Sequence, residues 1–413
     1  MKPISIGHAL LLSISMICNG LAARSESFMD QVVADWMVIG AGPAGIATVG
    51  VLLDIGVDQS RIIWIDAEFQ VGRLSNYSNV HANGVTGGFI KFINSCHVFQ
   101  ECSSPSIIAL NNLDPNQFNE LRVIIEPLRD ITAFLRTKVY SVQDSMKSLY
   151  FAGDAWTVIT ESETVVSAYN VVLATGSHPS VLDYEQEKVI SLDVALNPHN
   201  LARILKPDDI VGVVGSSHSG ILLLKFLTEL PFQLEHIYNI YRSPLTYVVD
   251  MGSWKLNEFE GLRGEAALWA QTVLEQNPPA NLTRIKSTPE TLEETLKKCT
   301  KVIYAIGFEQ NPLPLINDSI QITLKEAGII APRLFGVGIA FPEFVTNSVG
   351  AQGHCIGLNS FMRYVQQMIP QWNSEWNEQL QSGDERKVKD ARQKKAFFRK
   401  LNENCELFNI VLL

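Results

Sequence analysis

An α/β fold made of two parallel-sheet units, the second inserted into the first, is predicted by three stretches of this 413-residue sequence. At Trp36-Met-Val-Ile-Gly-Ala-Gly-Pro-Ala-Gly45 an apolar strand runs into a glycine turn and then a helix. The pattern recurs at Ile210-Val-Gly-Val-Val-Gly-Ser-Ser-His-Ser-Gly220, an internal duplication that points to two units of the same kind. A later strand, Pro332-Arg-Leu-Phe-Gly-Val-Gly338, reads as the chain returning to the first unit.

Bulk properties bound what such a chain can do. A hydrophobic content of 46% and a charged content of 18% describe a folded chain long enough for two or three cored domains. The net charge of −10 argues against a nucleic-acid surface. Six cysteines without a CxxC pair make no disulfide framework, and the eight histidines show no metal-site spacing. Residues 1–28 have the layout of a secretory signal peptide: Lys2, an apolar stretch from Ala9 to Cys18, then small residues at Gly20-Leu-Ala22. A working signal means a secreted or periplasmic protein. If translation starts at Met29, or the leader is shed inside the cell, the protein is cytoplasmic.

In the first unit, Met37, Val38 and Ile39 form the buried strand. Gly40, Gly42 and Gly45 then allow a tight turn, close approach to a pyrophosphate, and close contact between helix and strand. The helix from Ile46 to Gly56 aims its positive end at that pyrophosphate. A second strand, Ile62 to Ile65, closes on Asp66, whose carboxylate can accept ribose hydroxyls and would repel a 2′-phosphate. The first dinucleotide is therefore FAD or NAD rather than NADP. Phe69 to Leu74 and the polar stretch Ser75 to Gly88 form a natural cover for the ligand, with His81 and Asn83 as its side chains of interest. Leu113 to Phe134 reads as helix interrupted at Pro127, and short strands are expected within Val139 to Phe151 and Trp156 to Ile159. Tyr169 begins a third buried strand that ends at Ala174-Thr-Gly176, where Gly176 brings backbone beside the cofactor.

The second unit starts at Asp209, after a connection running from Pro179 to Pro207. Gly215, Ser217 and Gly220 take the three fingerprint positions, with Ser217 in place of the middle glycine. His218 opens the helix, where a neutral imidazole is favoured; it either touches the phosphate or ribose of the nicotinamide nucleotide or simply packs in the turn. Ile237 to Tyr241 is the next strand, and Arg242 follows it, suited to a 2′-phosphate and hence to NADPH. Lys301 to Phe308 closes the unit at Gly307 as Gly176 closes the first strand set. Asn347 to Met368 carries an apolar helical stripe through Val349, Cys355, Leu358, Phe361 and Val365. From Trp372 onward an amphipathic piece, a basic one and an apolar one suit a surface helix pair, a homo-oligomer arm or a membrane-surface contact. The expected division is a leader over 1–28, an FAD unit over 35–179 and 309–371, an NAD(P)H unit over 180–308, and a helical tail over 372–413.

From Gly40-Ala-Gly-Pro-Ala-Gly45 through Asp66, Ala174-Thr-Gly176, Gly215-Ser-Ser-His-Ser-Gly220 and Ala305-Ile-Gly307 to Leu334-Phe-Gly-Val-Gly338, the chain resembles the two-dinucleotide-domain flavoproteins built like glutathione reductase. The resemblance implies a Rossmann-like FAD-binding domain with an inserted Rossmann-like NAD(P)-binding domain. Many members place an aspartate after the glycine matching Gly338, whereas here Ile339-Ala-Phe341 follows. This departure, with Cys96 and Cys102 as the only close cysteine pair and not in the spacing of the disulfide reductases, resembles the flavin monooxygenase and N-hydroxylase branch more closely. What it implies is an FAD-dependent oxidoreductase that uses NADPH and O2 on a small organic substrate, with no catalytic side chain singled out and no metal. An NAD(P)H dehydrogenase serving a quinone or another acceptor, and a non-catalytic dinucleotide-binding redox sensor, are the alternatives.

Overall fold

Strand β1 (Val33–Ile39) and strand β2 (Ile62–Asp66) lie parallel, joined by helix α1 (Pro43–Asp54), whose opening proline has its φ already set for the first turn. The protein is described here from a computed structural model over residues 33–382, apart from 153, 185, 253 and 314–325. The expected leader and the tail beyond 382 fall outside the described residues. Apart from Asp35 and the closing Asp66, both strands are apolar because both faces are covered. Trp36, Val38, Ile62 and Trp64 enter the core beneath the helices, while Met37, Ile39, Ile63 and Ile65 enter a second core on the opposite face.

The helical face is completed by α2 (Thr86–Asn94) and α3 (Arg122–Arg136). Pro127 was expected to interrupt a helix starting at Leu113. Instead α3 begins later and runs through Pro127, whose buried ring offsets the missing backbone donor. β3 (Tyr140–Gln143) pairs with β2, and the hairpin β4 (Met146–Ala152) and β5 (Ala155–Thr160) covers the other face. β6 (Val165–Leu173) lies parallel to β1 on its other side.

The stretch between the units is more than a connection. It forms α4 (Leu192–Ala195) and a short helix at Pro198–Ile204, and their Leu192, Ala195 and Leu201 are built into the second unit's core. That unit continues through β7 (Ile210–Val214), α5 (His218–Thr228), β8 (His236–Tyr241), α6 (Gly264–Trp269), β9 (Leu282–Lys286), α7 (Pro289–Lys298) and β10 (Lys301–Tyr304). Its four strands are parallel in the order β9-β8-β7-β10. Entry and exit run side by side, since Ser177–Pro179 pairs antiparallel with Phe308–Gln310.

The chain then returns through β11 (Ile329–Ala331) and β12 (Leu334–Gly336), the latter parallel to β6. This gives the first sheet the order β11-β12-β6-β1-β2-β3, with the β4–β5 hairpin paired to β6. The helical stripe expected from Asn347 is corrected. β13 (Glu343–Thr346) and β14 (Gln352–Cys355) form a hairpin whose turn is held by the Asn347 side chain accepting from the backbone of Val349 and Ala351. Only from α8 (Leu358–Ser382) does the stripe become helix. α8 runs unbroken past position 371, where a tail was expected to start. Trp372 is buried and stacks on Phe335 at 4.2 Å, and Trp376 stacks on Tyr169 at 4.6 Å, so this part of the helix belongs to the first unit's core. Among the described residues no helix is long and apolar enough to cross a membrane.

Candidate functional site: two matched dinucleotide cradles

Two of the first three glycines are demanded by the fold. Gly40 has φ +109°, and a Cβ there would overlap the carbonyl oxygen of Ala174; a Cβ on Gly45 would overlap the carbonyl of Gly40. Gly42 differs, because its backbone is extended and a Cβ on it would meet nothing within 4 Å. The protein's own packing leaves the space in front of the α1 N-terminus open, which fits a pyrophosphate there.

Asp66 fastens this turn. Its Oδ2 accepts from Ala41 N at 2.7 Å, and its Oδ1 from Glu68 N at 2.9 Å and Phe69 N at 2.6 Å, leaving acceptor capacity for a ribose hydroxyl. Trp64 Nε1 donates to Gly40 O at 3.0 Å. Phe69, Val71 and Gly72 then all take positive φ, at 53°, 66° and 58°. For a β-branched valine this costs about 1–3 kcal/mol, held in place by burial. The bend returns Gly72 over the turn, so that a Cβ on it would stand 3.2 Å from Gly42 Cα. Gly176, at φ +71°, and Gly338, at φ +82°, bring two more chain segments to this end of the sheet, and a Cβ on Gly338 would lie 2.7 Å from Ala44 Cβ. Ile339 follows this glycine, and two residues further on Phe341 folds back over Gly336 and is buried.

The second cradle repeats the first. Gly215, at φ +112°, abuts the Ala305 carbonyl, and a Cβ on Gly220 would lie 2.5 Å from Gly215 O. Ser217 occupies the counterpart of Gly42 with the same extended backbone; it is exposed and its hydroxyl makes no cap bond. The hydrogen bonds Gly40 N to Ile65 O and Gly215 N to Ile240 O align the two strand ends, so Tyr241 stands where Asp66 stands. Asn239 does the work of Trp64, donating to Gly215 O at 2.8 Å. Gly307, at φ +107°, has open space around it.

Arg284 is the residue the sequence did not reveal. From β9 its Nη2 donates to Ser216 Oγ at 2.8 Å and its Nε to Asn239 Oδ1 at 3.0 Å, while the guanidinium lies 4.5 Å over the Tyr241 ring. Burial lowers its pKa from the usual range, yet a guanidinium remains a cation at neutral pH. No motif spacing marks it; only the register pairing Arg284 with Asn239 brings it to the turn. Arg242, the expected phosphate reader, is exposed and has no ion-pair partner among the described residues.

His218 points away from its own turn. Its Nε2 lies 3.3 Å from the His81 carbonyl in the first unit, its Nδ1 is buried without a partner, and burial depresses its pKa, which favours the neutral ring. His81 Nδ1 is 2.6 Å from Glu265 Oε2, and Lys225 reaches the other oxygen at 3.3 Å. Asn83 is exposed. Cys96 is buried beneath Gly50, whose added Cβ would meet its Sγ at 2.7 Å. That contact lies eight residues along α1 from Gly42, about 12 Å from the turn at the helical rise. Burial pushes the Cys96 and Cys102 thiols up, away from the reactive thiolate.

Two glycine cradles at the ends of parallel strands, one in each sheet, with the second unit inserted in the first, define a flavoprotein with an FAD site and a nicotinamide-nucleotide site. The chain belongs to the pyridine nucleotide-disulphide oxidoreductase family, which residues 34–335 match. It is an FAD-dependent oxidoreductase using NAD(P)H. Over 385 residues it is 29% identical to the monooxygenase AgnR1 of Paecilomyces divaricatus, a match covering 81% of this chain and 97% of that one. Its fold is similar to that of an ornithine N-hydroxylase from Kutzneria sp. 744, with a TM-score of 0.59 at 12% identity, covering 83% of this chain and 99% of the other. It is also similar to a flavin-containing monooxygenase from Stenotrophomonas maltophilia, with a TM-score of 0.52 at 14% identity and the same coverage of 83% and 99%.

Proposed function

We propose that this chain uses NADPH to reduce its flavin, and the reduced flavin and O2 to oxygenate a small organic substrate. The observation that carries the reading is the state of the close cysteine pair: Cys96 is packed against Gly50 in the middle of α1, and burial pushes its thiol and that of Cys102 away from the reactive thiolate, which speaks against a dithiol relay. Bound FAD supplies the electron transfer and O2 activation itself, leaving the protein to place the nucleotide and shield the site. The monooxygenase and N-hydroxylase named above support the same chemistry.

NADPH is favoured over NADH by the cations around Tyr241. A 2′-phosphate at the end of β8 would meet Arg242 from the strand end and Arg284 from β9, where NADH offers no anion. In the first unit the equivalent position is Asp66, which would repel that phosphate. The test is to reduce the purified protein with NADPH without O2 and then admit air. Rapid reoxidation, with peroxide released in the absence of substrate and an oxygenated product in its presence, supports the proposal. Reoxidation that waits for an added quinone would instead identify a dehydrogenase.

A further inference from the structure

Helix α4 is anchored in one unit and presents a carboxylate to the other. Leu192 is 3% exposed and Ala195 0%, and both sit in the core shared by β7 and α5. Between them, Asp193 reaches the segment Gly72–Tyr77, the stretch that folds back over the first glycine turn at Gly72. Its two oxygens accept separately from the Arg73 guanidinium and the Tyr77 phenol, with Asn76 Nδ2 a further donor at 3.4 Å. Arg73 Nε also donates to Ser177 O at 2.8 Å, where the chain leaves the first unit. Side-chain exposures of 34% for Arg73 and 23% for Asp193 make the ion pair a minor source of stability. Three donors from one short segment converging on one carboxylate do, however, fix a geometry between the two units at the edge of the first glycine turn, apart from the His81–Glu265 contact and the Ser177–Pro179 pairing.

We propose that Asp193 is a positioning residue, holding the nicotinamide-nucleotide unit in register with the pyrophosphate end of the flavin site so that hydride transfer occurs at the right distance. This rests on the reading that NADPH reduces the flavin, giving up two electrons and a proton as hydride and leaving as NADP⁺. Such a transfer falls off steeply when the partners are displaced by about an ångström.

The test uses the full, FAD-loaded chain and the near-isosteric Asp193→Asn, which keeps an acceptor for Tyr77 and removes the charge that Arg73 holds. In anaerobic stopped-flow with NADPH, the limiting rate of flavin reduction should fall roughly 10- to 100-fold. FAD content, the NADPH concentration at half-saturation and reduction by dithionite should be unchanged, while amide exchange across residues 72–77 should quicken. Arg73→Lys, which keeps the charge without the fork, should show a smaller fall. An unchanged limiting rate in Asp193→Asn overturns the proposal. So does a fall matched by lost FAD or by faster exchange throughout the chain, the mark of a merely structural role. Wild-type protein that binds FAD but is not reduced by NADPH overturns the functional reading instead; exchange over 72–77 then decides Asp193, and an unchanged pattern in the variant overturns its positioning role.

Discussion

Gly42 separates what the fold needs from what the ligand needs. Because a Cβ there meets no protein atom within 4 Å, Gly42→Leu should leave the melting temperature of the FAD-free protein little changed while abolishing flavin binding. Gly40→Ala and Gly45→Ala place a Cβ on backbone carbonyl atoms and should instead lower the yield of folded protein. Thermal unfolding without flavin and flavin content after reconstitution distinguish the two; flavin retained in Gly42→Leu would contradict the pyrophosphate placement. At the second cradle, Arg242→Ala should raise the Michaelis constant for NADPH far more than that for NADH, by about 2–3 kcal/mol if the phosphate contact is well formed. Arg284→Ala should weaken both nucleotides, since it also removes the bonds to Ser216 and Asn239 that support the turn. Equal penalties for the two nucleotides in Arg242→Ala would remove it as the phosphate reader. The place of Asp66 beside its glycine turn was legible because it follows that turn at a fixed spacing along a single helix and strand. Arg284 was not, because it arrives from a neighbouring strand whose pairing no local pattern announces.

Helix α1 packs over Cys96 at its middle turn. With Cys96 buried against Gly50, a double Cys96→Ser, Cys102→Ser variant should reduce and reoxidise its flavin like the wild type. Loss of turnover with FAD bound and the fold intact would restore the disulfide-reductase reading. Helix α5 carries a second prediction through His218, whose depressed pKa arises first from burial, with the His81 carbonyl, Glu265 and Arg263 as its polar surroundings. The unfolded chain takes up a proton near the ordinary value of 6.5 that the folded ring refuses. Stability from this site is therefore present above that pH and is lost as pH falls through 6.5 towards the lower folded value. The denaturation midpoint should drop over that interval in the wild type and less so in His218→Gln; parallel curves for the two would contradict it. Elements that are apolar on both faces, such as β1, β2 and β7, were legible from composition. The β13–β14 hairpin was not, since Val349 and Cys355 happen to continue the helical spacing of α8 and the turn that separates them depends on the Asn347 side chain.

Across the whole molecule the duplication is the governing fact. The bonds Gly40 N to Ile65 O and Gly215 N to Ile240 O align two cradles that then diverge in chemistry, Asp66 against Tyr241 and Trp64 against Asn239. One cradle ends in a carboxylate and the other in an aromatic ring under the Arg284 guanidinium. The junction between them was the least legible part. Asp193 meets Arg73 and Tyr77, and Glu265 meets His81, across long sequence separations and only when both sheets are in place. The central claim, that electrons pass from NADPH to flavin with no dithiol between, is tested most directly by anaerobic titration of the FAD-loaded protein with NADPH, followed through the visible flavin band. Complete bleaching is expected at about one NADPH per flavin, the capacity of a single two-electron centre. Uptake of a second equivalent before the flavin is fully reduced, or no bleaching at all, would contradict it.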